Sequence, residues 1–388
     1  MNTIFMLTFR IRTFLCIVGI FATTLSAIAP RLKIKKRLLG SPGPVSIQID
    51  GQEKALSEKT LKNAQTTNAY LNAYNTTYFN LPLLRNRQKI RRFLRKNNRY
   101  SEQGKPFCIE TNNKKVYGTF FDRKSNYLAV ISGGFTNCHE YMAPFVKLFP
   151  KYDLLFFDLP GHGLEQQQAV SLKGQLAQSI LGLDLQSISL GNAEAETIIA
   201  VVKHFKEKKN YKKIAGAARC YSVPFFAQAG IDWEKENSQP LFNKLILDSP
   251  FSSFQEFIPH LPLLASSRSK APLFRDLCKS WPVKTVFTKI AEYFLEVPLQ
   301  ECVPTGKLLK QLTATDMLFI HSKKDIAISN ADFSLLWNEL AGINNKCTLF
   351  TYNPHAMNHI KQKELYKFVT EQFIEQSFTD FVQQLSTL

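Results

Sequence analysis

Stretches of strand length alternate with helical patterns from residue 107 to the end of the chain. The stretch 127–132 is apolar without interruption, which is typical of a strand buried on both faces of a parallel sheet. The other predicted strands are a hairpin of 107–110 with 116–121, then 153–157, 241–247, 317–321 and 346–352, and the predicted helices are 140–149, 190–208, 329–340 and 361–384. The alternation predicts an α/β fold, with a mostly parallel central sheet covered by helices on both faces.

Residues 213–226 join a further short apolar run to a helix through a turn of small residues. The turn, 218–222, reads Ala-Arg-Cys-Tyr-Ser. A small-x-nucleophile-x-small sequence between a strand and a helix is the pattern of the nucleophile elbow, whose sharp turn needs small residues two before and two after the nucleophile. The pattern predicts that Cys220 is a nucleophile. Two alternatives remain open: Cys220 is a small buried hydrophobic residue, or Ser222 is the nucleophile in a shifted register.

The positive charge is concentrated near the N-terminus. Residues 31–105 hold 17 Lys and Arg against 4 Asp and Glu, a net +13 of the chain's +18. The Cys count of 7 is odd, the spacing is wide and no C-x-x-C pair occurs, so neither a disulfide framework nor a zinc site is indicated. We therefore expect no metal and no cofactor, and a reducing compartment is the simplest interpretation.

The uncharged apolar stretch 14–29 is shorter than the about 20 residues that a spanning helix needs. Arg10 and Arg12 come before it and a basic cluster, 31–37, follows it. Because positive charge beside an apolar stretch favours a retained helix with a cytoplasmic flank, we expect residues 1–30 to anchor the protein in a membrane and its body to be cytoplasmic. The alternatives are a signal peptide cleaved after residue 29, which would make the protein secreted, and a buried or peripheral amphipathic element.

Residues 31–106 are predicted to form a separate basic extension. Glycine and proline at 40–44 indicate that 38–55 is a linker. Residues 82–99 have the spacing of a basic amphipathic helix. Such a helix either packs on the main domain with a solvated basic face or binds anionic lipid head groups. No nucleic-acid motif with interleaved aromatic residues is present, so nucleic acid is not an expected partner.

Four landmarks follow one another in order after residue 107. The most specific is 157–163, Phe-Asp-Leu-Pro-Gly-His-Gly. The others are Gly-Gly-Phe-Thr at 133–136, the turn at 218–222, and the paired segments 319–325 and 354–356. With these landmarks residues 107–388 resemble the α/β-hydrolase superfamily, most of all its monoacyl-esterase and serine-aminopeptidase-like branch, whose D-x-P-G-H-G segment is matched nearly residue for residue. Three positions depart from the family, because Gly133 replaces its usual histidine, Cys220 replaces its serine and Ser222 replaces the second glycine of its elbow.

The resemblance implies a catalytic triad in which Cys220 attacks, His355 is the general base and Asp325 orients the imidazole. Asp248, at the end of the preceding strand, is the alternative acid, although an aspartate in Asp-Ser-Pro more often caps the next helix. His359 is the alternative base.

The resemblance also implies an oxyanion hole made by two backbone N–H groups, those of Phe135 and Tyr221. Backbone donors tolerate side-chain changes, so the glycine at 133 does not remove them. The remaining histidines of the motifs, His162 and His321, are interpreted as structural: the first supports the loop beside the site, and the second closes a core strand.

Residues 251–312 fall where the family inserts a lid. Their large apolar residues are expected to line an acyl pocket or to form core: Phe254, Phe257, Ile258, Leu261, Leu263, Leu264, Phe274, Trp281, Phe287 and Phe294. The resemblance implies hydrolysis of an ester or thioester through an acyl-enzyme, and the apolar lid and membrane anchor favour a lipid-like acyl substrate. The competing hypothesis is a catalytically inactive protein of the same fold that binds or regulates at a membrane. The replaced serine and the missing turn histidine motivate it.

Overall fold

A ten-stranded sheet organises the chain in the computed structural model. The structure describes residues 46–49, 52–55, 104–111, 114–135, 139–162, 188–261, 276, 278–353, 355, 358 and 362–387. The strands are β1 (Ser46–Ile49), β2 (Gln52–Ala55), β3 (Lys105–Thr111), β4 (Lys114–Phe121), β5 (Tyr127–Ser132), β6 (Asp153–Phe157), β7 (Lys213–Arg219), β8 (Lys244–Asp248), β9 (Asp316–Ser322) and β10 (Lys346–Thr351). They lie in the order β2-β1-β10-β9-β8-β7-β5-β6-β4-β3.

The centre of the sheet is parallel and its edges are antiparallel. All neighbours from β6 through β10 run parallel. At one edge β4 pairs antiparallel with β6 and β3 with β4, and at the other edge β1 pairs antiparallel with β10. This arrangement confirms the predicted mostly parallel sheet.

Helices cover both faces of the sheet. The α-helices are α1 (Asn192–Lys208), α2 (Val223–Asn237), α3 (Phe254–Phe257), α4 (Trp281–Leu295), α5 (Thr305–Leu309), α6 (Asn330–Glu339), α7 (Lys363–Glu375) and α8 (Phe378–Thr387). Short 3₁₀ helices are His139–Lys147, Cys220–Ser222, Ile258–His260 and Leu299–Glu301. Successive residues of β5 divide between the two faces: Leu128 and Val130 enter the core under α1 and α2, whereas Ala129 and Ile131 enter the core under α7 and α8. The sheet is therefore buried on both sides, as its apolar strands require.

The prediction that residues 38–55 are a linker is wrong for 46–49 and 52–55. Residues 46–49 and 52–55 form the hairpin β1–β2, and Ser46 pairs with Phe350 of β10. The hairpin adds two strands to the same sheet that residues 107–388 were expected to build alone. Its strands have only 4 residues each and lie at an edge, where burial imposes little apolar pattern. The predicted basic helix 82–99 lies outside the described residues.

Two predicted helices also differ from the structure. The helix expected at 140–149 is a 3₁₀ helix, His139–Lys147. The single terminal helix expected at 361–384 is two helices, because α7 ends at Glu375 and the hydroxyl of Ser377 begins α8 by accepting the N–H of Asp380 at 3.1 Å. A side-chain cap of this kind starts a new helix and redirects the chain.

The insertion 251–312 lies between β8 and β9 and contains α3, α4 and α5. Its two ends are joined where the N–H of Thr305 donates to the carbonyl of Ser252 at 2.7 Å. Phe254, Phe257 and Ile258 are buried, but Trp281 is 76% exposed and does not form part of the core. Leu263, Leu264 and Phe274 lie outside the described residues.

Candidate active site

The turn after β7 holds Cys220 in a conformation that side chains rarely adopt. Its φ is +48°, in the left-handed region, and the chain enters α2 directly afterwards through the 3₁₀ turn Cys220–Ser222. Left-handed backbone costs a non-glycine residue about 1–2 kcal/mol, so the surrounding packing must impose it. Ala218 and Ser222 on either side are completely buried, which explains why the turn needs small residues there. This is the geometry of a nucleophile elbow, with Cys220 at its apex.

Ser222, the alternative nucleophile, is used by the turn itself. Its hydroxyl accepts the N–H of Arg219 at 2.8 Å and lies 3.3 Å from the carbonyl oxygen of Ser132 on the neighbouring strand. The side chain is 0% exposed. These contacts tie the elbow to β5 and leave the hydroxyl facing the protein interior.

Asp325 and His355 meet at the carboxyl ends of β9 and β10. Oδ2 of Asp325 lies 2.7 Å from Nδ1 of His355. Oδ1 of the same carboxylate accepts the N–H groups of Ala327 and Ile328 at 2.8 and 2.9 Å. Both oxygens therefore have fixed partners, and the hydrogen bond to Nδ1 assigns the ring proton to that nitrogen.

The second ring nitrogen of His355 is left for Cys220, whose thiol is within hydrogen-bond reach of the ring. Burial lowers the pKa of His355, but the negative charges of Asp325 and Cys220 and their hydrogen bonds outweigh it and raise that pKa well above its ordinary value. The surroundings of the ring therefore favour an imidazolium, and an imidazolium stabilises a neighbouring thiolate. The structure therefore brings the three predicted triad residues together.

The predicted oxyanion turn packs on the elbow. The ring centroids of Phe135 and Tyr221 are 5.2 Å apart, and the ring centroids of His162 and Tyr221 are 4.9 Å apart. The backbone carbonyl of Pro160 is 2.9 Å from Nδ1 of His162, so the ring belongs to the loop that it was expected to support. Phe135 and Tyr221 are thus adjacent, and the N–H of Tyr221 is in the first turn of a helix, where backbone donors have no partner within the helix.

Two contacts between Asp158 and His139, which the sequence did not reveal, connect the oxyanion turn to the loop that carries His162. Asp158 accepts the backbone N–H of His139 at 2.6 Å through Oδ1, and its Oδ2 lies 3.0 Å from Nδ1 of the same histidine. His139 follows the oxyanion turn, and Asp158 opens the loop that carries His162. Only the D-x-P-G-H-G resemblance pointed to Asp158, and no pattern in the sequence singles out His139.

The alternative acid Asp248 has different partners. It is completely buried, and its Oδ1 accepts from Nδ2 of Asn358 at 2.9 Å and from the hydroxyl of Ser249 at 3.1 Å. Its Oδ2 lies 3.8 Å from Nε of Arg219. Burial raises the pKa of Asp248, although Arg219 and the hydrogen bonds oppose this. Since Nδ1 of His355 is already bonded to Asp325, Asp248 does not take the acid's place. The alternative base His359 lies outside the described residues.

His321 lies in the core, as predicted. Its ring stacks on Phe333 with centroids 4.3 Å apart, and Nε2 lies 3.2 Å from Oδ1 of Asn330. Burial lowers the pKa of His321 to about 4, so the ring is neutral at physiological pH. In the part of the chain that the structure describes, no group of three or more His, Cys, Asp or Glu side chains is placed to bind a metal ion.

The strand order β3-β4-β6-β5-β7-β8-β9-β10, with the elbow after β7, defines the α/β-hydrolase fold. The structure of AbyA5 aligns over 85% of this chain and 87% of its own, at 13% identity and a TM-score of 0.51. The esterase Pf2001 of Pyrococcus furiosus aligns over 70% of this chain and 89% of its own, at 16% identity and a TM-score of 0.49. A membrane phospholipase A described as a bacterial virulence factor aligns over 82% and 96%, at 13% identity and a TM-score of 0.47. No family model and no curated protein matches the chain.

Proposed function

We propose that the protein is a hydrolase that cleaves an ester or a thioester through Cys220, His355 and Asp325. The observation that carries the proposal is a chain of contacts: the buried Asp325 carboxylate bonds to the His355 ring, and the ring interacts with the Cys220 thiol at the apex of the elbow. A carboxylate that fixes the imidazole, and an imidazole that faces the nucleophile, are the arrangement that acyl transfer requires.

The reaction follows from these positions. The Cys220 thiolate attacks the carbonyl carbon, and the N–H groups of Tyr221 and Phe135 donate to the oxygen that becomes negative. As the tetrahedral intermediate collapses, the bond to the leaving group breaks and the His355 imidazolium gives it a proton. The neutral imidazole then removes a proton from water, the resulting hydroxide attacks the acyl-enzyme, and the acid and the Cys220 thiolate are released.

A lipid-like acyl group is the proposed substrate class. The side chains behind the elbow are aromatic and buried, with Phe225 and Phe254 at 4.8 and 5.9 Å from the ring of Tyr221. The proposed membrane association rests on residues 14–29, which lie outside the described part of the chain. Within that part, none of the helices has the length and apolar character needed to cross a bilayer.

A competing function is favoured by the burial of the nucleophile. Cys220 is only 3% exposed, which suits a binding or regulatory protein of this fold that has no turnover. Turnover requires a path for the substrate to the sulfur of Cys220, whereas a binding protein has no such need.

Labelling of the thiol by an acylating probe distinguishes the two functions. The wild-type protein should be labelled at Cys220 and should hydrolyse a short-chain p-nitrophenyl ester or an acyl thioester. Cys220→Ala should lose both properties, and His355→Ala should lose them with the thiol still present. Cys108→Ala is the matched control, because Cys108 is a free, exposed thiol on an edge strand. Hydrolysis by Cys220→Ala at the wild-type rate would disprove the triad.

A further inference from the structure

We propose that Asp248 and Asn358 are positioning residues, which hold the segment carrying His355 against the strand carrying Cys220. The inference rests on the proposed function, because it concerns the distance between those two reacting groups. Asp248 and Asn358 act through the backbone to which the reacting side chains are attached.

Asn358 lies three residues after His355, and three hydrogen bonds hold its side chain in place. Its Nδ2 donates to Oδ1 of Asp248 at 2.9 Å, and its Oδ1 accepts from the hydroxyl of Thr351 at 2.5 Å and from Nδ2 of Asn353 at 3.1 Å. The residue is 1% exposed. A buried amide with three such partners cannot shift without leaving polar groups unsatisfied. The His355 segment is therefore tied to the ends of two different strands, β8 and β10.

Asp248 carries this link to the nucleophile. It ends β8 and is paired in the sheet with Arg219, the last residue of β7. Nε of Arg219 lies 3.8 Å from Oδ2 of Asp248, and both side chains are buried. The next residue along the chain is Cys220. A path of buried contacts thus runs from the residue before the nucleophile, through Asp248 and Asn358, to the segment that bears the base.

Asp325 cannot replace this link. It follows β9 and sets the ring orientation of His355, and among the described residues its carboxylate bonds with His355, Ala327 and Ile328, none of which is next to Cys220 in the chain. Misplacing a catalytic group by about 1 Å can lower a rate by about 100-fold. We expect Asn358→Ala to lower kcat about 10- to 100-fold with little change in KM.

The exchange Asp248→Asn with Asn358→Asp tests position rather than composition. One donor and one acceptor still face each other across the gap, and the new carboxylate at 358 still accepts from Thr351 and Asn353. Asn358→Asp alone instead sets two buried carboxylates against each other. The double variant should therefore recover most of the rate that the single variant loses, and it keeps the inference testable if Asn358→Ala does not fold.

The readout that does not need a substrate is the rate of Cys220 alkylation by iodoacetamide at pH 7, followed by mass spectrometry of the peptide. In wild type the imidazole beside the sulfur should make Cys220 react faster than it does in His355→Ala. Asn358→Ala should lower the rate towards that of His355→Ala, and the double exchange should restore it. The control is Thr315→Val, which removes a buried hydrogen bond of 2.9 Å to the carbonyl of Phe242 at the opposite end of the sheet. It should lower thermal stability without changing the alkylation rate.

Three results are decisive. A slower alkylation of Cys220 in Asn358→Ala that the exchange restores supports the inference. A wild-type rate above that of His355→Ala that Asn358→Ala leaves unchanged, or that Thr315→Val lowers equally, overturns the inference alone. A wild-type rate equal to that of His355→Ala, with no acyl labelling, overturns the proposed function and the inference with it.

Discussion

Replacing Asp325 by asparagine should reverse the hydrogen bond that orients His355. The amide oxygen of the variant can still accept the N–H groups of Ala327 and Ile328, as Oδ1 does in the wild type. The amide nitrogen then faces Nδ1 of His355, which must become an acceptor, so the ring proton moves to Nε2. A neutral ring that is protonated at Nε2 cannot accept the proton of Cys220.

The size of the effect follows from the 2.7 Å contact. At an effective dielectric constant of about 20, a full negative charge at that distance from an imidazolium is worth about 6 kcal/mol. Because both charges are spread over several atoms, we expect a loss of about 4–6 kcal/mol, or about 10³–10⁴-fold in kcat/KM. The substitution should also lower the pKa of His355, because burial dominates once the carboxylate charge is removed.

The assay is kcat/KM for an acyl thioester and for a short-chain ester, measured with the thermal midpoint of each protein. Asp276→Asn is the control, since it makes the same chemical change at an exposed aspartate that pairs with Lys279. Asp325→Asn should remain folded, because its backbone contacts are kept. If its kcat/KM stays within tenfold of wild type while the control is unchanged, Asp325 does not orient the base and the reasoning is refuted.

Three further changes test the fold around the site. Cys220→Gly should be more stable than Cys220→Ala by about 1 kcal/mol in denaturant melts, because only glycine relieves the φ of +48°; equal stability would mean that the turn is unstrained. Burial raises the pKa of Asp332 to about 6 despite its hydrogen bonds to Ser252, so the folded state binds a proton there more tightly than the unfolded state and loses stability as pH rises from about 4 to 6. Asp332→Asn should therefore gain about 2–3 kcal/mol relative to wild type at pH 8 and little at pH 4 in thermal melts, and an equal effect at both pH values would contradict this. Phe254→Ala should cost about 3–5 kcal/mol and Trp281→Ser less than about 0.5, since the first side chain is 2% and the second 76% exposed; similar losses in equilibrium unfolding would refute the assignment of the core.

The inner strands of the sheet could be predicted because burial on both faces requires a continuous apolar stretch, which is easy to recognise in a sequence. The strand 127–132 was predicted with the bounds that β5 has, and β6 likewise. The edge hairpin β1–β2 carries no such signal, since its strands have only 4 residues each and neither is an uninterrupted apolar stretch. The 3₁₀ form of His139–Lys147 and the break at Ser377 depend on tertiary packing and on one side-chain cap, which periodicity does not register.

The site likewise contains residues that the sequence could predict and a contact that it could not. Cys220, Asp325 and His355 follow strands that local motifs mark, and parallel strands bring their carboxyl ends to one edge. The link between Asp248 and Asn358 joins residues 110 positions apart; the sequence marked Asp248 only as an alternative acid, and no motif assigns a role to Asn358. The roles assigned to the triad and to the two oxyanion donors remain predictions until the labelling experiments are done.

The β1–β2 hairpin sets a minimum length for the part of the chain that follows it. β2 and β3 lie at opposite edges of the ten-stranded sheet, nine strand spacings apart, which is about 40 Å at about 4.8 Å each. Residues 56–104 connect them, and about 13 extended residues are enough to cover that distance. The connection is therefore much longer than geometry demands, so the basic segment 82–99 can be deleted while the hairpin keeps its place on β10. A deletion of that segment separates any contribution it makes to binding from the integrity of the sheet.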